Sequence, residues 1–295
     1  MQGIEDYSKA IKLNPKDAEA YINRGLAYEK LEQYEKAIDD YSKAIELDPK
    51  CVAAYLWRGI AYTNIEQYTQ AIHDCSKAIE LDPKFAAAYT WRGYTYCELG
   101  QYQVVIGDCS KAIELNPNDD LAYASRGNGY NELGQYEKAI DDCSKAIELN
   151  PKFAETFNNL GLAYSKLGQY EKAIDDFSKA IELDSKSADA HNNRGFTYGK
   201  MGQYQKGIDD CNKAIELNHN VAEAYDSRGF IYGKLEQYQK AIDDFSRALQ
   251  LDPKYAIAYD NRAQCYEKLG HQTLAHKDRE MAIELGFKPS CGKQK

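Results

Sequence analysis

Several features that mark other classes of protein are missing from this chain of 295 residues. It has no apolar run near the roughly 20 residues that cross a bilayer. Its first residues, Met1 to Asp6, lack the basic flank and apolar core of a secretory signal. Basic residues are also not in excess, because 37 Lys and Arg against 46 Asp and Glu give a net charge of −9. We therefore expect no membrane partner and no nucleic-acid partner.

Catalytic and metal-binding patterns are missing as well. There is no Gly-rich phosphate loop after a strand, no nucleophile elbow and no acid–base pair outside the repeated pattern described below. Cys265, His271 and His276 match no spacing typical of metal ligands. We expect a protein without enzymatic activity, cofactor or metal.

Eight cysteines occur in a chain that shows no secretory signal. That combination is typical of free thiols in a reducing compartment, so the sequence predicts a cytoplasmic location. Four of these cysteines occupy one position of the repeat where other repeats have Tyr or Phe, and we interpret them as small buried apolar groups: Cys75, Cys109, Cys143 and Cys211.

What the sequence does have is one segment of 34 residues that recurs without insertions. Its eight copies fill residues 18–289. Residues 1–17 form the second half of another copy, and residues 290–295 form a short polar tail. Position 1 of a repeat is its first residue, and the repeats begin at Ala18, Val52, Ala86, Asp120, Ala154, Ala188, Ala222 and Ala256.

Within each repeat, apolar and small residues follow two runs with helical spacing. A short turn such as Gly100-Gln101 separates the runs, and Asp48-Pro49 or its equivalent ends the second run. Each repeat is therefore predicted to be a helix–turn–helix hairpin. One hairpin cannot bury its apolar faces alone, but stacked hairpins can.

These residues resemble the tetratricopeptide repeat family. The third repeat carries the family pattern at Tyr89, Gly93, Tyr96, Gly100, Ala112 and Pro117, and has Val105 and Cys109 where the family has Ala and an aromatic residue. The other repeats are similar. The proline position departs from the pattern at Ser185, His219 and Phe287. The resemblance implies an all-α fold, a right-handed superhelical α-solenoid of stacked hairpins.

An Arg and an Asp recur too regularly to be catalytic groups, since a catalytic group is needed once. Asp stands at position 23 of every repeat, and Arg at position 7 of all but the fifth, which has Leu160. We predict a ladder of Arg–Asp pairs between successive repeats, for example Asp40 with Arg58, because Arg suits partly buried bidentate pairing.

Binding should depend on positions that differ between repeats. In the family, the first helices line a concave face with positions 2, 5, 6, 9, 12 and 13. In this chain the same positions hold aromatic residues that could anchor a ligand and Asn residues that could pair with its backbone. They also include an acidic end at Glu223, Asp226 and Asp260, which favours a basic ligand segment. The predicted site residues are Leu56, Trp57, Ile60, Thr90, Trp91, Tyr94, Asn128, Asn131, Asn158, Asn192, Phe196 and Asp226.

Some members of the family bind acidic C-terminal tails through a carboxylate clamp, which requires Lys at position 5. That position is never Lys here, so no such clamp is expected.

The sequence thus predicts a protein–protein interaction scaffold that binds an extended peptide or protein segment in a concave groove. Two alternatives remain open. The chain could be a targeting or regulatory segment of a larger multidomain enzyme. It could also be a self-assembling array that pairs through the apolar N-terminal edge of Ile4, Tyr7, Ile11 and Leu13. Trp57 and Trp91 could, moreover, simply pack between repeats.

Overall fold

The computed structural model describes residues 2–288, and every regular element within that range is an α-helix. The predicted all-α class, a helical-repeat solenoid, is confirmed. The polar tail predicted at 290–295 lies outside the described residues. No helix within 2–288 is both long enough and apolar enough to cross a membrane.

The chain divides into two compact units, residues 1–151 and 152–295. The first unit contains α1 (Gln2–Leu13), α2 (Ala18–Glu29), α3 (Tyr34–Leu47), α4 (Val52–Asn64), α5 (Tyr68–Leu81), α6 (Ala86–Glu98), α7 (Tyr102–Leu115), α8 (Asp120–Glu132) and α9 (Tyr136–Leu149). The second unit contains α10 (Ala154–Lys166), α11 (Tyr170–Leu183), α12 (Ala188–Lys200), α13 (Tyr204–Leu217), α14 (Ala222–Lys234), α15 (Tyr238–Leu251), α16 (Ala256–Lys268) and α17 (Gln272–Glu284).

Each hairpin has a first helix that begins at position 1 and a second helix that begins near position 17. Several first helices are capped by a side chain, as where Asp17 accepts a hydrogen bond of 3.2 Å from the Ala20 backbone N–H. The second helix α3 ends at Leu47 because Asp48 is extended and precedes a proline. These local signals set the length of each hairpin.

The turn between the two helices needs a left-handed residue at position 15. Gly100 takes this role with φ of 67° and Glu32 with φ of 57°. A glycine adopts this conformation without steric cost, whereas a glutamate has to be held in it by the surrounding hairpin.

Glycine at position 8 lets the two helices of a hairpin approach closely. A Cβ atom on Gly25 would lie 2.5 Å from Tyr41 Cε1, and one on Gly161 would lie 2.8 Å from Phe177 Cδ1. No side chain fits in that space, so the large aromatic group of the second helix takes it instead.

The four cysteines at the position of Tyr41 and Phe177 are fully buried in the same place. They are free thiols, and burial raises the pKa of Cys75 to about 12. The interpretation of these cysteines as small apolar core groups is confirmed by their burial.

Candidate functional site

The first helices are held in place by Arg–Asp pairs, but the predicted register of these pairs is wrong. Arg58 donates from Nε and Nη2 to both oxygens of Asp74, at 2.6 and 2.9 Å, and not to Asp40. Asp40 instead accepts two hydrogen bonds from Arg24 of its own repeat. The pair therefore lies within one hairpin, where the two helices are closest.

The link between successive hairpins comes from the remaining Arg nitrogen. Nη1 of Arg58 donates to Ser42 Oγ on α3 at 3.0 Å, and Nη1 of Arg92 donates to Ser76 Oγ on α5 at the same distance. Each such Arg fixes three helices at once, so the first helices of a unit are presented as a pre-organised surface.

In the first unit, the predicted apolar residues form one connected patch. Leu56 and Ile60 are buried and belong to a cluster against which Trp57 and Trp91 pack. Both indoles remain half-buried. Tyr94 meets Trp91 edge to face, with ring centroids 5.6 Å apart. Trp57, Trp91 and Tyr94, called the aromatic patch below, are therefore the members of this set with surface left for a ligand.

Three further predicted residues of the first unit differ in exposure. Thr90 is buried and donates a hydrogen bond of 2.6 Å to Asp119, the residue that caps the start of α8. Asn131 is buried as well, whereas Asn128 is half-buried. Thr90 thus links α6 to the start of α8, the first helix of the following hairpin.

In the second unit, the two predicted Asn residues and Phe196 differ in exposure and contacts. Asn158 Oδ1 accepts a hydrogen bond of 3.0 Å from Asn193 Nδ2, and Asn192 is buried. Asn158 stays half-buried. Phe196 is also half-buried, and its ring centroid lies 5.4 Å from that of Phe230 on the next first helix.

Of the predicted acidic end, Asp226 is only 6% exposed, whereas Glu223 is exposed and Asp260 is half-buried. Its Oδ1 accepts a hydrogen bond of 3.1 Å from Asn261. Burial raises the pKa of Asp226 to about 6, although the hydrogen bonds from Asn261 and Tyr255 partly offset that effect. The carboxylate is committed to neighbouring repeats and does not line an acidic surface.

Sequence reasoning missed a set of lysines at position 13 of the second unit, in the last turns of α10, α12, α14 and α16. They are Lys166, Lys200, Lys234 and Lys268, called the lysine row below. Aligning the repeats at that position gives the signal, because the four repeats of the first unit have Lys30, Asn64, Glu98 and Glu132 there and thus only one lysine.

Family models match most of the chain. One described as "Tetratricopeptide repeat" matches residues 18–51, 52–85, 154–187, 188–221 and 222–255. Another with that description matches 75–103 and 109–141, and one described as "TPR repeat" matches 2–32 and 127–168. No curated protein gives a significant match.

Solved structures of the same architecture show the fold. A chain of the APC/C hetero-tetramer Cut9-Hcn1 is 20% identical with a TM-score of 0.74, over 89% of this chain and 52% of that one. This chain therefore spans about half the length of that relative. A tetratricopeptide repeat protein from Parabacteroides merdae is 18% identical with a TM-score of 0.61, over 90% of this chain and 98% of that one.

At such identities the structural likeness establishes the fold alone, while the family models match the repeats themselves. The chain therefore belongs to the tetratricopeptide repeat family, whose repeats form protein-interaction scaffolds.

Proposed function

We propose that this protein binds an extended peptide or protein segment along the faces of its first helices. The observation that supports this most directly is the aromatic patch of Trp57, Trp91 and Tyr94. Half-buried aromatic groups held by a packed layer beneath them are the usual anchors of protein interfaces.

The hairpins beneath the patch also favour binding. Arg58 and Arg92 fix α4 and α6 through bidentate pairs and a third hydrogen bond each. A surface that is already ordered loses little conformational entropy when a ligand binds, so more of the contact energy appears as affinity.

The proposed mode does not use a carboxylate clamp. Position 5, where the clamp requires Lys, has no Lys in any repeat. The side chains at this position include Leu56, Thr90, Asn192 and Asp226, and these four are buried. We therefore propose contacts along the length of a segment and not the capture of a terminal carboxylate.

The test is a selection of peptides from an unbiased displayed library, followed by affinity measurements. The variant is Trp57→Leu/Trp91→Leu, which keeps apolar side chains against the core but removes both indoles. The control is Thr69→Ala/Gln103→Ala, at exposed positions of the second helices α5 and α7. Selected peptides should lose about tenfold or more in affinity for the tryptophan variant. Equal affinity for wild type and variant would place binding elsewhere.

A second candidate, self-association, is favoured by a cleft at the N-terminal edge of the first unit. The cleft holds about 380 Å³ between α1 and α2, lined in part by Ile4, Tyr7, Leu26 and Leu31. Leu13, at the other end of α1, is 88% exposed. Light scattering over a concentration series tests this proposal, with Ile4→Glu/Leu31→Glu as the variant that should abolish any dimer. A monomer at every concentration would reject it.

We also propose a cytoplasmic location, which the free thiols support. Fractionation of cells that express a tagged chain tests it, and recovery outside the cytoplasm would contradict it.

A further inference from the structure

The lysine row carries no counter-charge of its own. In contrast, six second helices each contain a lysine that is paired with a glutamate three residues later. The distance from the lysine Nζ to the nearer carboxylate oxygen is 2.6–3.0 Å in all six pairs, from Lys43 to Lys213. No residue of the lysine row has a carboxylate partner within 4.0 Å among residues 2–288. The row is thus distinct from the neutralised lysines of the second helices.

Aromatic rings lie between the ammonium groups of this row. Lys200 Nζ is 5.0 Å from the ring centroid of Phe196 and 4.7 Å from that of Phe230. Lys234 Nζ is 5.3 Å from the centroid of Phe230. On α12 and α14, each of these ammonium groups therefore lies close to an aromatic ring, so that charged and apolar surface are adjacent.

The environment of Lys200 shows that the charge is crowded. Burial lowers the pKa of Lys200, and the neighbouring charges of Lys234 and Lys166 lower it further. An anion bound here would relieve that repulsion and favour the charged form.

A cleft lies at the end of the row, between α14 and α16. It holds about 190 Å³ and is lined by Phe230, Gly233, Lys234 and Lys268, among others. A Cβ atom on Gly233 would meet only Cys265 Sγ, at an ordinary 3.8 Å, so packing does not require a glycine. At the same position of the previous repeat, a Cβ atom on Gly199 would lie 2.7 Å from Ile231 Cγ1. The missing side chain of Gly233 keeps the cleft open.

The lysines could be present simply because a positive charge near the C-terminal end of a helix interacts favourably with its unpaired carbonyl groups. That account applies equally to α4, α6 and α8, which belong to hairpins of the same construction. Those helices have no basic residue in the last turn. The first repeat also has a lysine at this position, Lys30, at the end of α2. Helix stability alone does not explain why all four repeats of the second unit carry the lysine while the three repeats before them do not.

Acidic residues on the same helices do not neutralise the row. Asp260 precedes Lys268 by eight residues, which places it about 12 Å away along α16 at ~1.5 Å per residue. Asp260 also accepts a hydrogen bond from Gln264 at 2.7 Å. Asp226 is buried against Asn261. Glu267, next to Lys268, pairs with Arg279 at 2.6 Å. Asp226 and Asp260 lie toward the opposite end of their helices from the lysine row.

We propose that the lysine row of the second unit binds an acidic segment of a protein ligand, with an apolar side chain of that ligand in the cleft beside Phe230. This inference rests on the proposed scaffold function and names the ligand class for one of its faces. Neighbouring first helices such as α12 and α14 pack directly. Packed helices are about 8–10 Å apart, and an extended chain rises about 3.3 Å per residue. Acidic residues at every third position of an extended ligand are therefore spaced like the lysines on successive first helices.

The test uses three labelled synthetic peptides with the repeating unit Glu-Ser-Leu, Gln-Ser-Leu or Lys-Ser-Leu, and fluorescence anisotropy on the full chain. The variant is Lys200→Gln/Lys234→Gln. The matched control is Lys179→Gln/Lys213→Gln, two paired lysines on α11 and α13 of the same unit. A charge-conserving variant, Lys200→Arg/Lys234→Arg, checks that a loss reflects charge and not misfolding.

The acidic peptide should bind wild type, the control and the arginine variant with equal affinity. Its affinity for the glutamine variant should be about tenfold lower, as expected for two lost ion pairs. Its affinity should fall as salt rises. Equal binding to the glutamine variant, or equal binding of the acidic and Gln peptides, would overturn the inference. A tighter complex with a single-stranded oligonucleotide of the same charge would overturn it too.

The outcome is separable from that of the scaffold proposal. If library-selected peptides depend on Trp57 and Trp91 while the acidic peptide ignores the lysines, only the present inference fails. If the lysine variant loses the acidic peptide while the tryptophan variant loses nothing, the aromatic patch is not a binding face and the lysine row is.

Discussion

Arg58 and Asp74 form a bidentate pair inside one hairpin, and the same Arg58 reaches Ser42 of the preceding hairpin. Asp74 is 1% exposed, so the pair is shielded from water on the carboxylate side. The arrangement recurs at Arg24, Arg92, Arg126, Arg194 and Arg262, each with a Ser on the preceding second helix. Arg228 uses Asn212 in that role.

Removing one partner of this pair should destabilise the fold strongly. Arg58→Met leaves the Asp74 carboxylate buried without a counter-charge, and we expect a loss of about 3 kcal/mol in the free energy of unfolding. Chemical denaturation measures the change. As a control, Lys77→Ala breaks the exposed pair with Glu80 and should cost about 0.5 kcal/mol or less. Equal effects of the two variants would contradict the role given to the ladder.

The fifth repeat lacks the Arg and should show a different pH dependence. Leu160 stands at the Arg position, and burial, with a smaller contribution from Asp175, raises the pKa of Asp176 to about 6. An acid whose folded pKa exceeds its unfolded value of about 3.9 binds more protons when folded. Stability from this group is therefore present at low pH and is lost as pH rises from about 4 to about 6.

Asp176→Asn should remove that loss and raise stability at pH 7 by about 1 kcal/mol, a value discounted because the carboxyl is only half-buried. Leu160→Arg should also remove it by pairing the charge. Thermal midpoints from pH 4 to pH 7 provide the measurement. A wild-type profile unchanged in both variants would show that Asp176 does not titrate in this range.

The sequence predicted the hairpins well because two independent signals agreed within every repeat. Helical spacing of apolar residues located the helices, and residues such as Gly100 and Pro49 marked where they end. The pairing of Arg58 could not be read in the same way. Asp40 precedes it by 18 residues and Asp74 follows it by 16, and both lie on second helices next to α4. Only side-chain geometry decides between them.

The site was harder to predict than the fold. The aromatic patch came from positions that face inward in the family, but inward-facing positions also carry residues that join repeats. Thr90 and Asp226 are such residues, because Thr90 bonds to the N-cap of α8 and Asp226 accepts a hydrogen bond from Asn261 on α16. A repeat pattern does not separate these two roles. The lysine row was overlooked because each Lys resembles an ordinary helix end until the repeats are compared.

Two glycines at the same repeat position should respond in opposite ways to alanine. Gly199→Ala places a Cβ atom 2.7 Å from Ile231 Cγ1 and should lower stability by about 1–3 kcal/mol. Gly233→Ala meets nothing closer than 3.8 Å and should raise stability by up to about 1 kcal/mol through helix propensity. Thermal denaturation of the matched pair tests this, and a change of the same sign in both would contradict the assigned packing.

The cysteines should differ in reactivity according to burial. Cys75 and Cys211 are fully buried, and burial is the main cause of their raised pKa. Cys51 is half-buried at the start of α4. Iodoacetamide at pH 8 should therefore alkylate Cys51 many times faster than Cys75 or Cys211, because the thiolate is the reactive species. Peptide mass spectrometry over time gives the rates, and similar rates would mean that the hairpins open readily.

The central claim is that ligands bind to the faces of the first helices. Hydrogen–deuterium exchange of the full chain, with and without a peptide selected from an unbiased library, tests it most directly. We predict slower exchange in α4 and α6, or in α12 and α14, with little change in the second helices between them. Protection confined to second helices such as α5 and α13, or to α1 at the N-terminal edge, would contradict the claim.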